Sequence, residues 1–339
     1  MIRSKSSRRF WRQVVIHAIM GPLALIWLFP LWMMAVFSTM PENGIFSPDI
    51  ELLPSDQFWV NFQALQAETG FLRTLFVSVL VALISTVLSV MLTSMAGWAL
   101  VRYQFRGKIL VTALIFGTMT LPYFVVVVPQ FIMVARDLGL SNTWVALIVP
   151  PLFNSLGVLF MRQAFSMMPR ELFDAAQIEG VKEWQIFTRV ALPLAKPTLA
   201  ALAIILFLAS WNNYLWPLLI ASEPTMMTAP VALGTLIGVN RVSWASIMTG
   251  AVLLTLPMVI VFIFLQRFFM AGITTGGGER GSDVIRGLFL SILLLGSIWA
   301  YTNNKLTQRV FTYLVFLLLA YDLIGVDKRY FNNDDFTAK

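Results

Sequence analysis

The sequence predicts an all-α membrane protein: six core helices followed by two further apolar helices at the carboxyl end. Three observations carry that reading. The residues are 58% hydrophobic and only 12% charged, too little charge to cover the surface of a soluble chain of this length. Six blocks without Asp, Glu, Lys or Arg, at residues 13–41, 74–101, 109–135, 138–161, 197–222 and 242–266, exceed the roughly 20 residues a helix needs to cross hydrocarbon. The short alternating segments of a transmembrane β-barrel do not occur, and a spanning helix closes its own backbone hydrogen bonds.

Residues 1–12 form a basic amino terminus. The first apolar block is longer than the roughly 7–15 residues of a signal-peptide core and carries bulky Trp32, Met33 and Met34 at its far end. It reads as an uncleaved anchor, so residues 13–70 comprise a span and the loop that follows. Pro41, Pro48, Pro54 and the Asn43-Gly44 pair punctuate that loop, with one short helix expected over 58–66. Residues 71–268 hold the remaining core spans. Pro122 and Pro129 fall in the third span, and Pro150 and Pro151 in the fourth. Proline kinks a membrane helix and frees carbonyls that must find partners, which suits a transport pathway and an ordinary packed bundle about equally.

Charge sets the expected orientation. Arg3, Lys5, Arg8, Arg9 and Arg12 precede the first span; Arg102, Arg106 and Lys108 follow the second; Arg162, Arg170, Lys182, Arg189 and Lys196 follow the fourth. The loop after the first span holds Glu42, Asp49, Glu51, Asp56 and Glu68, with no basic residue between Thr39 and Leu72. Cytoplasmic loops are rich in Lys and Arg, so the amino terminus and both basic loops are expected inside and the acidic loop outside. The net charge of +7 is then topological and no nucleic-acid footprint. The chain has no cysteine, which excludes disulfides, thiolate nucleophiles and Cys-ligated metals.

The longest inward loop spans 163–196. Pro169 suits a helix's first turn, Glu171 and Asp174 favour the positive end of its dipole, and Gly180 falls at the left-handed C-cap. A second short helix is expected over 183–190, ending before Pro193. Ala175 and Ala176 leave a shallow face that another protein can approach. By physics alone an ordinary surface hairpin explains the loop as well.

The run Pro169-Arg170-Glu171-Leu172-Phe173-Asp174-Ala175-Ala176-Gln177-Ile178-Glu179-Gly180, closed by Val190-Ala191-Leu192-Pro193, resembles the EAA loop of ABC-importer permeases. Asp174 stands for the usual Glu and Val190 for the usual Ile; the spacing agrees throughout. Four further stretches are similar to the carbohydrate-uptake, maltose-transporter-like branch: Phe71-Leu72-Arg73-Thr74-Leu75; Ala96-Gly97-Trp98 through Arg102, Arg106 and Lys108; Ser210-Trp211-Asn212-Asn213-Tyr214-Leu215-Trp216-Pro217; and Leu265-Gln266-Arg267-Phe268-Phe269. The resemblance covers about residues 10–275. It implies a type-I importer fold, a second permease subunit, an ABC ATPase dimer that grips the loop, and an extracytoplasmic sugar-binding protein, in a bacterial cytoplasmic membrane. In that setting Glu171, Asp174, Ala175, Ala176, Gly180, Leu192 and Pro193 are the ATPase-coupling residues. No phosphate-binding G-x-x-x-x-G-K-[ST] run occurs, and Gly276, Gly277 and Gly278 lack the following Lys, so hydrolysis falls to the partner. No cofactor is expected.

Trp211, Asn212, Asn213 and Tyr214 lie mid-span in the fifth helix. Amides at depth need a cavity or a neighbouring helix; they serve either as inter-helical glue of about 1 kcal/mol each or as sugar contacts. Gln130, Asn154 and Ser155 follow the same logic less strongly. His17, the single histidine, has no acidic partner at depth for a proton relay and reads as a packed or interfacial group. A channel or ion-driven carrier needs buried ionisable residues that these spans nearly lack, as does a membrane-embedded enzyme. Polyamines or phosphonates are the alternative solutes within the importer class. Beyond Thr275 the resemblance ends. Residues 269–283 read as a linker and 284–339 as an apolar hairpin with a polar tail, interrupted by Asp322, without an assigned role.

Overall fold

The computed structural model describes residues 3–48, 51–237 and 242–274. It divides into a unit of Met1–Met270 and a second of Ala271–Lys339; the hairpin and tail expected over 284–339 lie outside the described residues. Among those residues the regular elements are helical, apart from one bridge joining Ile237 and Val242.

Helix α1 (Arg3–Phe37) carries His17, and at its far end Val36, with Met40 just beyond the helix, packs with Ala245. Helix α2 (Phe58–Thr69) runs past the expected 58–66 because Gly70, at φ +59, stops it in the left-handed conformation. Helix α3 (Phe71–Arg102) starts at once and forms the centre of the bundle. Ser85, Ser89, Thr93 and Gly97 recur every fourth residue and are buried. Small residues let membrane helices approach closely where lipid supplies no hydrophobic drive.

Helices α3, α1 from His17 to Phe37, and α14 (Trp244–Thr274) up to Phe264 are each long and apolar enough to cross a membrane. Three bent pairs pass the same test together, for up to 6 crossings. Helix α4 (Lys108–Thr120) meets α5 (Tyr123–Phe131) and its π-helical continuation at 99°. Helix α6 (Trp144–Ile148) and the 3-10 turn Pro150–Leu152 meet α7 (Ser155–Ser166) at 47°. The breaks fall at Pro122 and just after Pro150 and Pro151, as the freed-backbone argument requires.

The loop after α7 contains α8 (Arg170–Ile178), α9 (Glu183–Ile186), a π-helical turn Phe187–Ala191 and α10 (Leu192–Leu194). The chain stays helical through Pro193 instead of ending before it. The amide of Leu192 bonds the carbonyl of Phe187, a wider turn that makes room for a residue lacking an N–H. At 81° to this segment runs α11 (Lys196–Trp211), followed past Asn212–Tyr214 by α12 (Leu215–Ile220) and then α13 (Ala229–Thr235). Helix α14 continues to Thr274, so the first residues of the stretch read as linker are helical.

The helix ends sort into two groups. Arg102, α8 and α9 meet at one. At the other, Arg73 donates to the carbonyl of Thr225 and the backbone of Glu223 donates to Asn142. There the carboxylate of Glu42 accepts from the amides of Trp244 (2.8 Å) and Ala245 (2.9 Å), capping α14 from the loop after α1. An acid at a helix start meets both unpaired donors and the dipole. Glu42→Ala is expected to cost about 1–2 kcal/mol, read as a lower thermal midpoint in detergent, with Glu42→Gln recovering part of it.

Candidate functional site

Two places gather the residues singled out by sequence. The first is the surface of the loop between α7 and α11, residues 163–196. Helix α8 ends in a Schellman closure: Gly180 at φ +80 donates to Gln177 (3.0 Å) and Val181 to Ala176 (3.1 Å). Phe173 is its one buried residue, with Leu172 47% and Ile178 87% exposed. Glu171, Asp174 and Ala175 lie on the open side, and Ala176 at its edge. Leu192 and Pro193 sit farther along, past the π turn. Leu172 and Ile178 thus leave apolar side chains uncovered on this face of the loop.

What anchors this surface is a residue whose role the loop motif alone does not reveal. Arg102, the last residue of α3, bonds Asp174 at 2.8 Å and Glu183 at 2.9 Å, and donates to Gln177 as well. Its side chain is 14% exposed while Asp174 is 59% exposed. One guanidinium thus ties the end of the central helix to α8 and α9, in the fork geometry only Arg offers. Beside it, burial and then the charge of Glu183 push the Tyr103 phenol above its ordinary range. Beneath it the Trp98 ring meets Phe173 edge-on at 4.8 Å and Phe165 at 5.4 Å. Such aromatic pairs add about 0.5–1.5 kcal/mol beyond area. Asp174 therefore faces inward as a tether at least as much as outward.

The second place is a cavity of about 800 Å³ where α3 passes the break between α4 and α5, the break between α6 and α7, and the break between α11 and α12. Irregular backbone at membrane depth is tolerated where it lines a cavity, and the local bonds show how each break is closed. Asn154 accepts from Gly157 (2.7 Å) and caps α7; Ser89 donates to the freed carbonyl of Leu152 (3.1 Å); Thr118 and Ser155 share a hydroxyl contact. Asn212 donates back to Leu208 (3.0 Å). Asn212, Asn213, Tyr214, Gln130, Asn154 and Ser155 all line the cavity.

Trp211 does not. It is 2% exposed, stacked on Phe207 at 5.6 Å in a cluster with Ala82. The Trp-Asn-Asn-Tyr run straddles the end of α11, which turns one indole into the helix interface and leaves the next three residues at the break. Trp216 is likewise a structural anchor, its indole donating to the carbonyl of Ala146 at 2.8 Å. Ser85, on α3, belongs to no sequence motif. It also lines the cavity, is 4% exposed, and its hydroxyl has no hydrogen-bond partner. No cluster of His, Cys, Asp and Glu suited to a metal occurs among the described residues.

Two ends, a broken-helix cavity between them and an uncovered loop at one end fit a multi-pass transport component. Residues 89–275 match the family described as binding-protein-dependent transport system inner membrane component, and the chain belongs to that family. It is 37% identical over 258 residues to the arabinooligosaccharides transport system permease protein AraQ of Halalkalibacterium halodurans, covering 75% of this chain and 92% of that one. It is 29% identical over 265 residues to the lactose transport system permease protein LacG of Rhizobium radiobacter, covering 78% and 96%. In fold it resembles a bacterial ABC transporter involved in the import of the acidic polysaccharide alginate, with a TM-score of 0.67 at 22% sequence identity over 78% of this chain and 98% of that one.

Proposed function

We propose that this chain is one permease half of a sugar importer, in which a separate ATPase dimer grips the loop 163–196 and drives α3 and α11 between inward- and outward-open arrangements. The observation that carries this is the loop itself: exposed Leu172, Ala175 and Ile178 on a short helix tethered by Arg102 to the longest buried helix. Force applied there has a stiff path to the cavity. The useful work is differential binding of the loop in two states.

The second permease subunit, the ATPase pair and an extracytoplasmic sugar-binding protein follow from the EAA resemblance and from the family's dependence on a binding protein. The charge pattern supports a cytoplasmic amino terminus and an external acidic loop. The transported sugars of the AraQ and LacG relatives support a carbohydrate, with Asn212, Asn213 and Tyr214 on its path.

Bulky replacements test the grip. A side chain at Gly180 meets nothing within 4 Å but is strained at φ +80, so Gly180→Leu leaves the bundle intact and misplaces α9 relative to α8. That variant, and Ala175→Trp, are expected to lower ATP-driven uptake by about tenfold or more at unchanged membrane level. Normal accumulation in both would remove the loop from the mechanism.

A further inference from the structure

The cavity has a chemical character of its own. At about 800 Å³ it falls within the roughly 300–1,000 Å³ of sites that enclose drug-sized ligands, room for a short oligosaccharide. Its polar lining is made of amides and hydroxyls, with Gln130, Asn212, Asn213 and Ser210 joined by the phenols of Tyr123 and Tyr214. Among the described residues that line it, none is Asp, Glu, Lys, Arg or His. Amides and hydroxyls both donate and accept, which matches sugar hydroxyls, and tyrosine rings give flat faces for a pyranose or furanose. An anion entering such a site sheds its water with no countercharge to meet it.

Ser85 adds an independent sign. Its hydroxyl is buried at the cavity, does not bond back to its own helix and has no partner. Buried polar groups are nearly always paired, and one left open beside a cavity is paired when the cavity is filled.

We propose that this subunit itself holds the solute in transit, in the cavity at the three helix breaks, and that the cavity selects an uncharged oligosaccharide against phosphorylated and uronate sugars, with Ser85 as one of its contacts. This rests on the sugar-import reading above. Relatives differ on this point: one is named for sn-glycerol-3-phosphate transport, at 32% identity over 263 residues in Pectobacterium atrosepticum.

The native chain has no cysteine, so a single Ser210→Cys reports on the cavity directly. The whole importer in proteoliposomes is treated with an uncharged and an anionic methanethiosulfonate reagent, each rate normalised to exposed Glu68→Cys. The expected result is at least about tenfold faster labelling by the uncharged reagent, and protection by arabinotriose or lactose but not by sn-glycerol 3-phosphate or an alginate trisaccharide. Thr118→Cys gives the same readout if Ser210→Cys does not assemble. In parallel, Ser85→Ala is expected to raise KM for the protecting sugar about fivefold without lowering the membrane level. Equal normalised labelling, or protection by an anionic sugar, overturns the charge selection and leaves sugar import standing. Uptake of a neutral sugar with no protection by it overturns this cavity as the holding site. Uptake of a polyamine and of none of the sugars sinks the sugar reading itself.

Discussion

Arg102→Ala is expected to abolish most ATP-driven uptake while leaving the protein folded and inserted. The side chain holds Asp174 at 2.8 Å and Glu183 at 2.9 Å. Both carboxylates are more than a third exposed, so solvent screens them and each bond contributes only about 1 kcal/mol to stability. The bundle survives that loss because Trp98, Phe165, Phe173 and Phe187 still pack beneath the loop. Coupling does not survive it. Without the fork, α8 and α9 move as a flap, and a push on Ala175 tilts the flap before it moves α3. A coupling term of about 1–3 kcal/mol corresponds to roughly 5–150-fold, and uptake is expected to fall within that range. ATP hydrolysis by the assembled complex should persist, so that ATP used per sugar accumulated rises. Arg102→Lys, a point charge without the fork, should recover a minor part. Uptake and stoichiometry measured in the same vesicles decide the matter: unchanged values in Arg102→Ala make the clasp a surface ornament.

That prediction also shows where reading the sequence succeeds and stops. Uncharged blocks announce long membrane helices because hydrocarbon tolerates nothing else, and the left-handed turn at Gly180 is written into a glycine four residues after Ala176. The prolines 122, 150 and 151 mark breaks for the same local reason. Long-range pairing is another matter. Arg102 and Asp174 are 72 residues apart, and basic residues at the inward end of a span are so ordinary that charge counting assigns Arg102 to topology alone. The Trp211 to Tyr214 run fails differently. Four residues of suitable chemistry lie in a row, but a helix turns each by about 100°, and the break after Trp211 sends the first into packing and the rest to the cavity. Ser85 carries no motif; only the lack of a bond to its own helix singles it out, and that is visible in three dimensions alone.

Gly97→Ala is expected to be strongly destabilising, although it adds a single methyl to the central helix. A Cβ at Gly97 would sit 2.7 Å from the backbone nitrogen of Arg162 and 2.9 Å from the Cβ of Met161. Helices α3 and α7 touch there almost backbone to backbone. Overpacking costs about 1–3 kcal/mol when side chains give way and more when they have none to give; a loss of about 3 kcal/mol is a large part of a typical 5–15 kcal/mol. Gly157, on the opposite face of the same seam, offers the control. Its added Cβ would meet the Thr93 methyl at 2.9 Å, an atom that Thr93→Ser removes while keeping the hydroxyl that bonds Ser89. Gly157→Ala should therefore cost about 1 kcal/mol and be restored by Thr93→Ser. Gly97→Ala should resist rescue by any trimming of Met161, because the clashing atoms belong to the main chain and to the Cβ that every residue but glycine retains. Thermal midpoints of the single and double variants in detergent separate the two cases. A Gly97→Ala protein as stable as the parent would mean that α3 and α7 slide apart freely, and the stiff path from loop to cavity would be lost with it.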